Sequence, residues 1–136
     1  MITIEENSPV TKDELEALFL LLEWKSGKYG ELLLKAIKNS SYYVTARNSD
    51  NTLIGMISAL DDGAINAYIP YALVHPDYQH RGIGRKMMKC LKGHYKNFLR
   101  IALISYSEST AFYRSNGFSV CPEQIPMEVS RLSESI

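Results

Sequence analysis

Apolar and polar positions recur along this chain with two different periods, and each change of period marks an element. Residues 1–6 (MITIEE) alternate weakly and predict a first strand. Thr11 opens T-K-D-E, a capping box in which Thr11 and Glu14 satisfy each other's free backbone N–H groups. Val10 and Leu15 are spaced as its hydrophobic staple. A helix over 12–24 follows from that start. A second helical stretch, 31–38, comes after Gly27 and Gly30. Residues 42–47 are rich in β-formers, and Ser49-Asp50-Asn51 is turn chemistry. The next strand covers 52–60, Asp61-Asp62-Gly63 predicts a tight hairpin turn, and a long strand over 64–74 ends at His75-Pro76.

In the second half, Ile83, Met87, Leu91 and Tyr95 repeat at i+4 with lysines on the other side, so 83–95 is an amphipathic helix. A short buried strand is expected over 99–105, and a helix over 108–116 closed by Gly117. A strand over 118–121 and a final edge strand over 127–131 complete the pattern. The order β-α-α-β-β-β-α-β-α-β-(β) describes an α/β fold, a mixed sheet with helices on its faces. Pro70 lies inside the long strand, where it cannot donate to a ladder and so marks a bulge or an open edge.

Composition narrows the class. The 136 residues suit one domain, 1–136, and at 46% hydrophobic and 22% charged the chain is globular, not disordered. The longest strictly apolar run, 17–22, is far below the roughly 18 residues that suggest a membrane span. The start MITIEENSP has no apolar leader segment, and Cys90 and Cys121 form no CxxC motif. Both features fit a reducing, cytoplasmic setting. Net charge is zero, which predicts no nucleic-acid partner, but the charge is unevenly placed. Residues 76–100 hold seven Lys/Arg and one acid, against 8 basic and 14 acidic residues elsewhere. Such a block marks either a site for an anionic ligand or the solvated face of one helix.

The loop Gln79-His80-Arg81-Gly82-Ile83-Gly84 favours the ligand. Glycines at a helix start let an anion reach the free N–H groups, and the helix dipole favours phosphate there. Arg85 and Lys86 fall in the first turn, where each opposes the dipole at a cost of about 0.3–1 kcal/mol that a bound polyphosphate would reverse. The third glycine of a dinucleotide fingerprint is missing, and so is the G-K-[ST] of a P-loop.

The stretch V74-H75-P76-D77-Y78-Q79-H80-R81-G82-I83-G84 resembles the acetyl-CoA signature of the GNAT superfamily of N-acyltransferases, Q/R-x-x-G-x-G/A after a V-x-P strand end. A second stretch, A111-F112-Y113-R114-S115-N116-G117-F118, resembles that family's C-terminal fYek-GF segment. The resemblance implies a single domain with splayed central strands that bind acetyl-CoA and transfer its acetyl group to a primary amine. Backbone amides from Gln79, His80, Arg81, Gly82, Ile83 and Gly84, with Arg85, would hold the pyrophosphate. Leu73 and Val74 would pair with the pantetheine arm, and Phe112 would border the co-substrate. Tyr113 would protonate the leaving thiolate, and backbone N–H groups near Val74 would stabilise the oxyanion.

The family's strand carboxylate, a general base, is replaced here by Tyr71, which leaves a water relayed through Tyr71, a backbone carbonyl, or Glu23. Its Asn before the last helix has no match, and Ser107 or Ser109 stands nearby. Trp24, Tyr29, Tyr43 and Tyr71 either line an amine pocket or form aromatic core. Cys90 and His94, at i, i+4, read as buried core, and His75 and His80 as loop residues, so no metal is expected. Lys89, Lys92 and Lys96 read as a solvated face, with one or two in reach of the CoA 3′-phosphate. The expected acceptor is a small molecule, without nucleic-acid or membrane partners, and the resemblance allows a homodimer through the C-terminal strand. Alternatives are a transferase for protein N-termini or lysines, or a non-catalytic acyl-CoA-binding module.

Overall fold

The computed structural model describes residues 1–132. Its elements are β1 (Thr3–Glu6), α1 (Lys12–Leu21), α2 (Gly30–Lys38), β2 (Tyr42–Arg47), β3 (Leu53–Asp61), β4 (Asn66–Val74), α3 (Ile83–His94), β5 (Arg100–Leu103) and α4 (Thr110–Ser115). Short 3-10 turns occupy Lys25–Lys28, Pro76–Tyr78 and Ser107–Ser109. The strands form one sheet in the order β1-β2-β3-β4-β5, antiparallel except for the parallel pair β4 and β5. The expected α/β mixed sheet is therefore present.

Two apolar layers sandwich it. On one face Ile83, Met87 and Leu91 of α3 pack on Val44, Ile54 and Ile57. On the other, Leu15, Leu18 and Phe19 of α1 and Leu33 and Ile37 of α2 pack on Tyr43, Met56 and Leu73. The i+4 stripe of α3 and the alternation of β2 put these side chains on opposite faces, and the register shift where Ala46 and Arg47 face Gly55 and Leu53 lets Ile54 share a face with Ile57. The capping box at Thr11 forms as the sequence predicts, with Thr11 N–H on Glu14 Oε2 at 2.8 Å and Glu14 N–H on Thr11 Oγ1 at 3.3 Å. Glu14 also grips Arg47 of β2 through two 2.8 Å bonds, which locks the start of α1 to the sheet. Arg47 is only 8% exposed, and its guanidinium holds the Glu14 carboxyl below the usual glutamate range.

The boundaries differ from expectation in places, each for a local reason. Helix α1 stops at Leu21 because Glu23 turns left-handed at φ +60°. The hairpin before β4 is wider than a two-residue turn: the Asp62 carboxylate accepts from the N–H groups of Ala64, Ile65 and Asn66, so β4 begins at Asn66. Strand β5 is half exposed, with Leu99 before it 82% exposed, because it is the last strand of the sheet and is not buried as expected. The strands expected over 118–121 and 127–131 are absent. Pro122 and Pro126 bound these two short stretches, which have no strand partner among the described residues, and Ile125, Met127 and Val129 are 81%, 90% and 88% exposed. Cys90 is half-buried, and His94 is not core: it is exposed and stacked flat on Tyr42 at 4.0 Å. Among the described residues no helix is long and apolar enough to cross a membrane.

Candidate active site

The sheet opens between its two parallel strands. Strand β4 pairs with β5 from Asn66↔Arg100 only to Ile69↔Leu103, yet it stays paired with β3 as far as Val74↔Gly55. The next residue after Ile69 is Pro70, which has no N–H to donate, and the β3–β4 register shifts nearby, between Ser58 and Leu60. Residues 70–74 therefore diverge from 104–109, and two cavities occupy the gap.

The larger cavity, about 690 Å³, runs from β4 along the loop into α3 and against α4. Leu73, Val74, Gln79, His80, Gly82, Ile83, Gly84, Arg85, Phe112 and Tyr113 all line it. Of the cofactor residues expected from the sequence only Arg81 is not among the lining residues described; its guanidinium lies 5.2 Å from the centroid of Tyr78. Gly82 caps α3 in the left-handed conformation, φ +81°, and gives the first turn no side-chain acceptor. That turn carries Arg85 and Lys86 with no acid, so its amides and cations are left for an anion. His80 is also left-handed, φ +64°. The Gln79 side chain donates to the Val74 carbonyl at 2.9 Å, tying the loop to the end of β4. Of the lysine row, Lys92 is not simply a solvated charge: its ammonium donates to the Asn116 carbonyl at 2.6 Å and holds the end of α4.

The smaller cavity, about 400 Å³, lies between residues 22–24, β4 and the chain leaving β5. It shares seven lining residues with the larger one: Ala72, Leu73, Val74, Gln79, Glu108, Ser109 and Tyr113. Tyr113 and Glu108 thus stand where the two meet. Burial pushes the Tyr113 phenol above its ordinary value, so at neutral pH it is a hydroxyl able to donate. Glu108 is a site residue that sequence reasoning missed. The signal lay between the two serines weighed there, Ser107 and Ser109, and Ser107 Oγ donates to Glu108 Oε2 at 3.3 Å.

Trp24, Tyr106 and Glu23 line the smaller cavity alone. Among the described lining residues Tyr71 and Tyr29 do not figure in either cavity. Tyr71 instead backs the wall: its ring meets Trp24 at 5.3 Å and Phe19 at 5.0 Å, and its hydroxyl shares a 2.9 Å hydrogen bond with Ser26. It positions Trp24. Tyr29 donates to the Leu132 carbonyl at 3.4 Å, and the buried Tyr43 donates to the Ser8 carbonyl at 2.7 Å, the aromatic-core alternative for that residue.

The arrangement is a helix start with free amides and cations joined to a second, aromatic and acidic cavity. Comparisons with known proteins agree with it. Residues 38–120 match the acetyltransferase (GNAT) domain family. A protein of Gracilaria tenuistipitata var. liui, named uncharacterized N-acetyltransferase ycf52, is 30% identical over 88% of this chain and 68% of its own. Histone acetyltransferase TAP1 of Glycine max is 33% identical over 82% of this chain, which spans 53% of that protein. Among solved structures, the GNAT family acetyltransferase SP0256 of Streptococcus pneumoniae TIGR4 superposes with a TM-score of 0.83 at 27% identity, covering 96% of this chain and 99% of that one. With fold, loop and family match in agreement, this chain belongs to the GNAT family of acetyltransferases.

Proposed function

We propose that the protein transfers an acetyl group from acetyl-CoA to the primary amine of a small molecule by direct attack on the thioester. The observation that carries this reading is the shared wall of the two cavities, where a donor lying along the Gln79–Gly84 loop and an acceptor beside Trp24 meet at Tyr113. In this reading the α3 amides and Arg85 hold the pyrophosphate, and the β4 end guides the pantetheine arm toward Leu73 and Val74. Backbone N–H groups near Val74 stabilise the oxyanion as the nitrogen attacks and the C–S bond breaks. Tyr113 gives its proton to the departing thiolate. The proton lost by the amine goes to Glu108, directly or through water, because Glu108 is the acidic residue among those that line both cavities.

The second reading, transfer to a protein lysine or N-terminus, is favoured by one relative's name, histone acetyltransferase. Loss of thioester absorbance on mixing the protein with acetyl-CoA and a panel of polyamines, arylalkylamines, amino sugars, amino acids and short peptides separates the two. Consumption that depends on one small amine supports the first reading. Consumption with peptides alone supports the second. Absence of both consumption and acetyl-CoA binding would remove the loop assignment.

A further inference from the structure

The smaller cavity is charged on one side of the scale only. Two acidic residues line it, Glu23 and Glu108, and among the described lining residues there is no lysine, arginine or histidine. Glu108 stands at the junction with the larger cavity, whereas Glu23 belongs to the smaller cavity alone. Trp24 and Tyr106 line the same space, their ring centroids 6.5 Å apart at 75°. Aromatic rings attract cations electrostatically, and an acidic side chain beside them adds to that attraction. An acceptor carrying a carboxylate or phosphate would meet two negative charges here and no positive one.

Glu23 is held in place against its local preferences. The end of α1 is a Schellman-type turn, with Trp24 N–H on the Phe19 carbonyl at 2.9 Å and Glu23 N–H on the Leu20 carbonyl at 3.0 Å. The left-handed position of that turn, φ +60° in Glu23, favours glycine. The carboxylate also sits at the negative end of the helix dipole, where a cation is preferred. Both mismatches fall on the one acidic residue that lines this cavity and is not among the lining residues of the larger one.

We propose that the acceptor is a small aliphatic amine carrying a second positive charge, a diamine or polyamine, whose distal ammonium is held by Glu23 and Trp24 while its reacting amine reaches the junction at Tyr113. The proposal rests on the transferase reading above. A cavity of about 400 Å³ suits a ligand of that size. Glu23 is a specificity residue in this scheme, and Glu108 serves the reacting nitrogen.

The test compares thioester loss with 1,5-diaminopentane and with pentylamine, which lacks only the second amine, on the wild type, Glu23→Gln and Glu23→Gly. The expected wild-type kcat/KM favours the diamine by about tenfold or more, the loss of one charge-assisted hydrogen bond. In both variants that ratio falls toward one, with KM and not kcat carrying the change. Glu23→Gly also keeps or raises Tm, because glycine suits the turn, so a lost ratio cannot be put down to unfolding. A wild-type ratio near one, a ratio unchanged in the variants, or a preference for 6-aminohexanoate would overturn the proposal. So would a lysine peptide acetylated faster than any diamine. No consumption with any acceptor would refute the transferase reading itself, and this proposal with it.

Discussion

Gly84 of α3 lies directly against Phe112 of α4: a β-carbon on Gly84 would come within 3.1 Å of two carbons of that ring. The contact joins the two sequence motifs across the larger cavity, since both residues line it. The glycine is needed because of its neighbour. Its backbone conformation is ordinary for a helix.

Gly84→Ala should therefore push Phe112 out of place and narrow the groove. Stability is expected to fall by about 1 kcal/mol, the usual cost of mild overpacking, and the affinity for CoA by a few-fold. Urea unfolding and calorimetric titration with CoA measure the two effects. Full CoA affinity in a destabilised variant would mean that Phe112 shapes the fold and not the ligand site.

Gly82 is required for the opposite reason. Nothing lies within 4 Å of its would-be β-carbon, but its φ of +81° is left-handed. Gly82→Ala should cost about 1–2 kcal/mol, Gly82→Asn less because asparagine tolerates this region, and Gly82→Val most. CoA affinity should follow the same order, as the loop relaxes away from the phosphate-binding shape. A valine variant that binds CoA like the wild type would sink the loop assignment.

Tyr113→Phe removes one oxygen at the junction of the cavities. Turnover should fall by about 10²–10⁴-fold if the phenol protonates the thiolate, with CoA binding preserved. Because burial raises the phenol above its ordinary value, the wild type should keep this proton donor through the neutral and mildly alkaline range. Wild-type turnover in the phenylalanine variant, measured where chemistry limits the rate, would take Tyr113 out of that role.

The Glu14–Arg47 pair makes stability depend on pH. Glu14 ionises below its ordinary 4.5 in the folded protein, mainly through its hydrogen bonds to Arg47. The unfolded chain thus takes up its proton first as pH falls. The pair's contribution is present above about pH 4.5 and drains as pH drops through the folded value. Glu14→Gln should cost about 2 kcal/mol at neutral pH, by leaving a mostly buried guanidinium without its anion, and should flatten the acid limb. Thermal melts from pH 3 to 7 would show it; parallel acid limbs in the two proteins would refute it.

Much of the fold was legible along the chain. The T-K-D-E box, the i+4 stripe from Ile83 to Leu91 and the turn at Asp62 act over a few residues, so period and capping chemistry suffice to place them. The Gln79–Gly84 loop was legible for the same reason: a helix start, its glycines and its free amides are one local object. The C-terminal segment was not, because alternation shows only that a strand is possible, while a strand exists only beside a partner. Pro122 and Pro126 bound the two short stretches, and Ile125, Met127 and Val129 stay exposed.

The acceptor side depended on what meets across distance. Trp24 lies far along the chain from Tyr106 and Glu108, and the three share a cavity only because β4 and β5 part after Ile69 and Leu103. Tyr71 was expected at the chemistry, yet its ring is turned behind Trp24 by Phe19 and Ser26, partners more than forty residues away. The sequence by itself determined the family, the glycine-capped helix start that borders the larger cavity and the tyrosine of the second motif. Which carboxylate reaches the junction, and which stands alone beside Trp24, was decided by the tertiary structure, because strand divergence and side-chain packing bring together residues that no local pattern links.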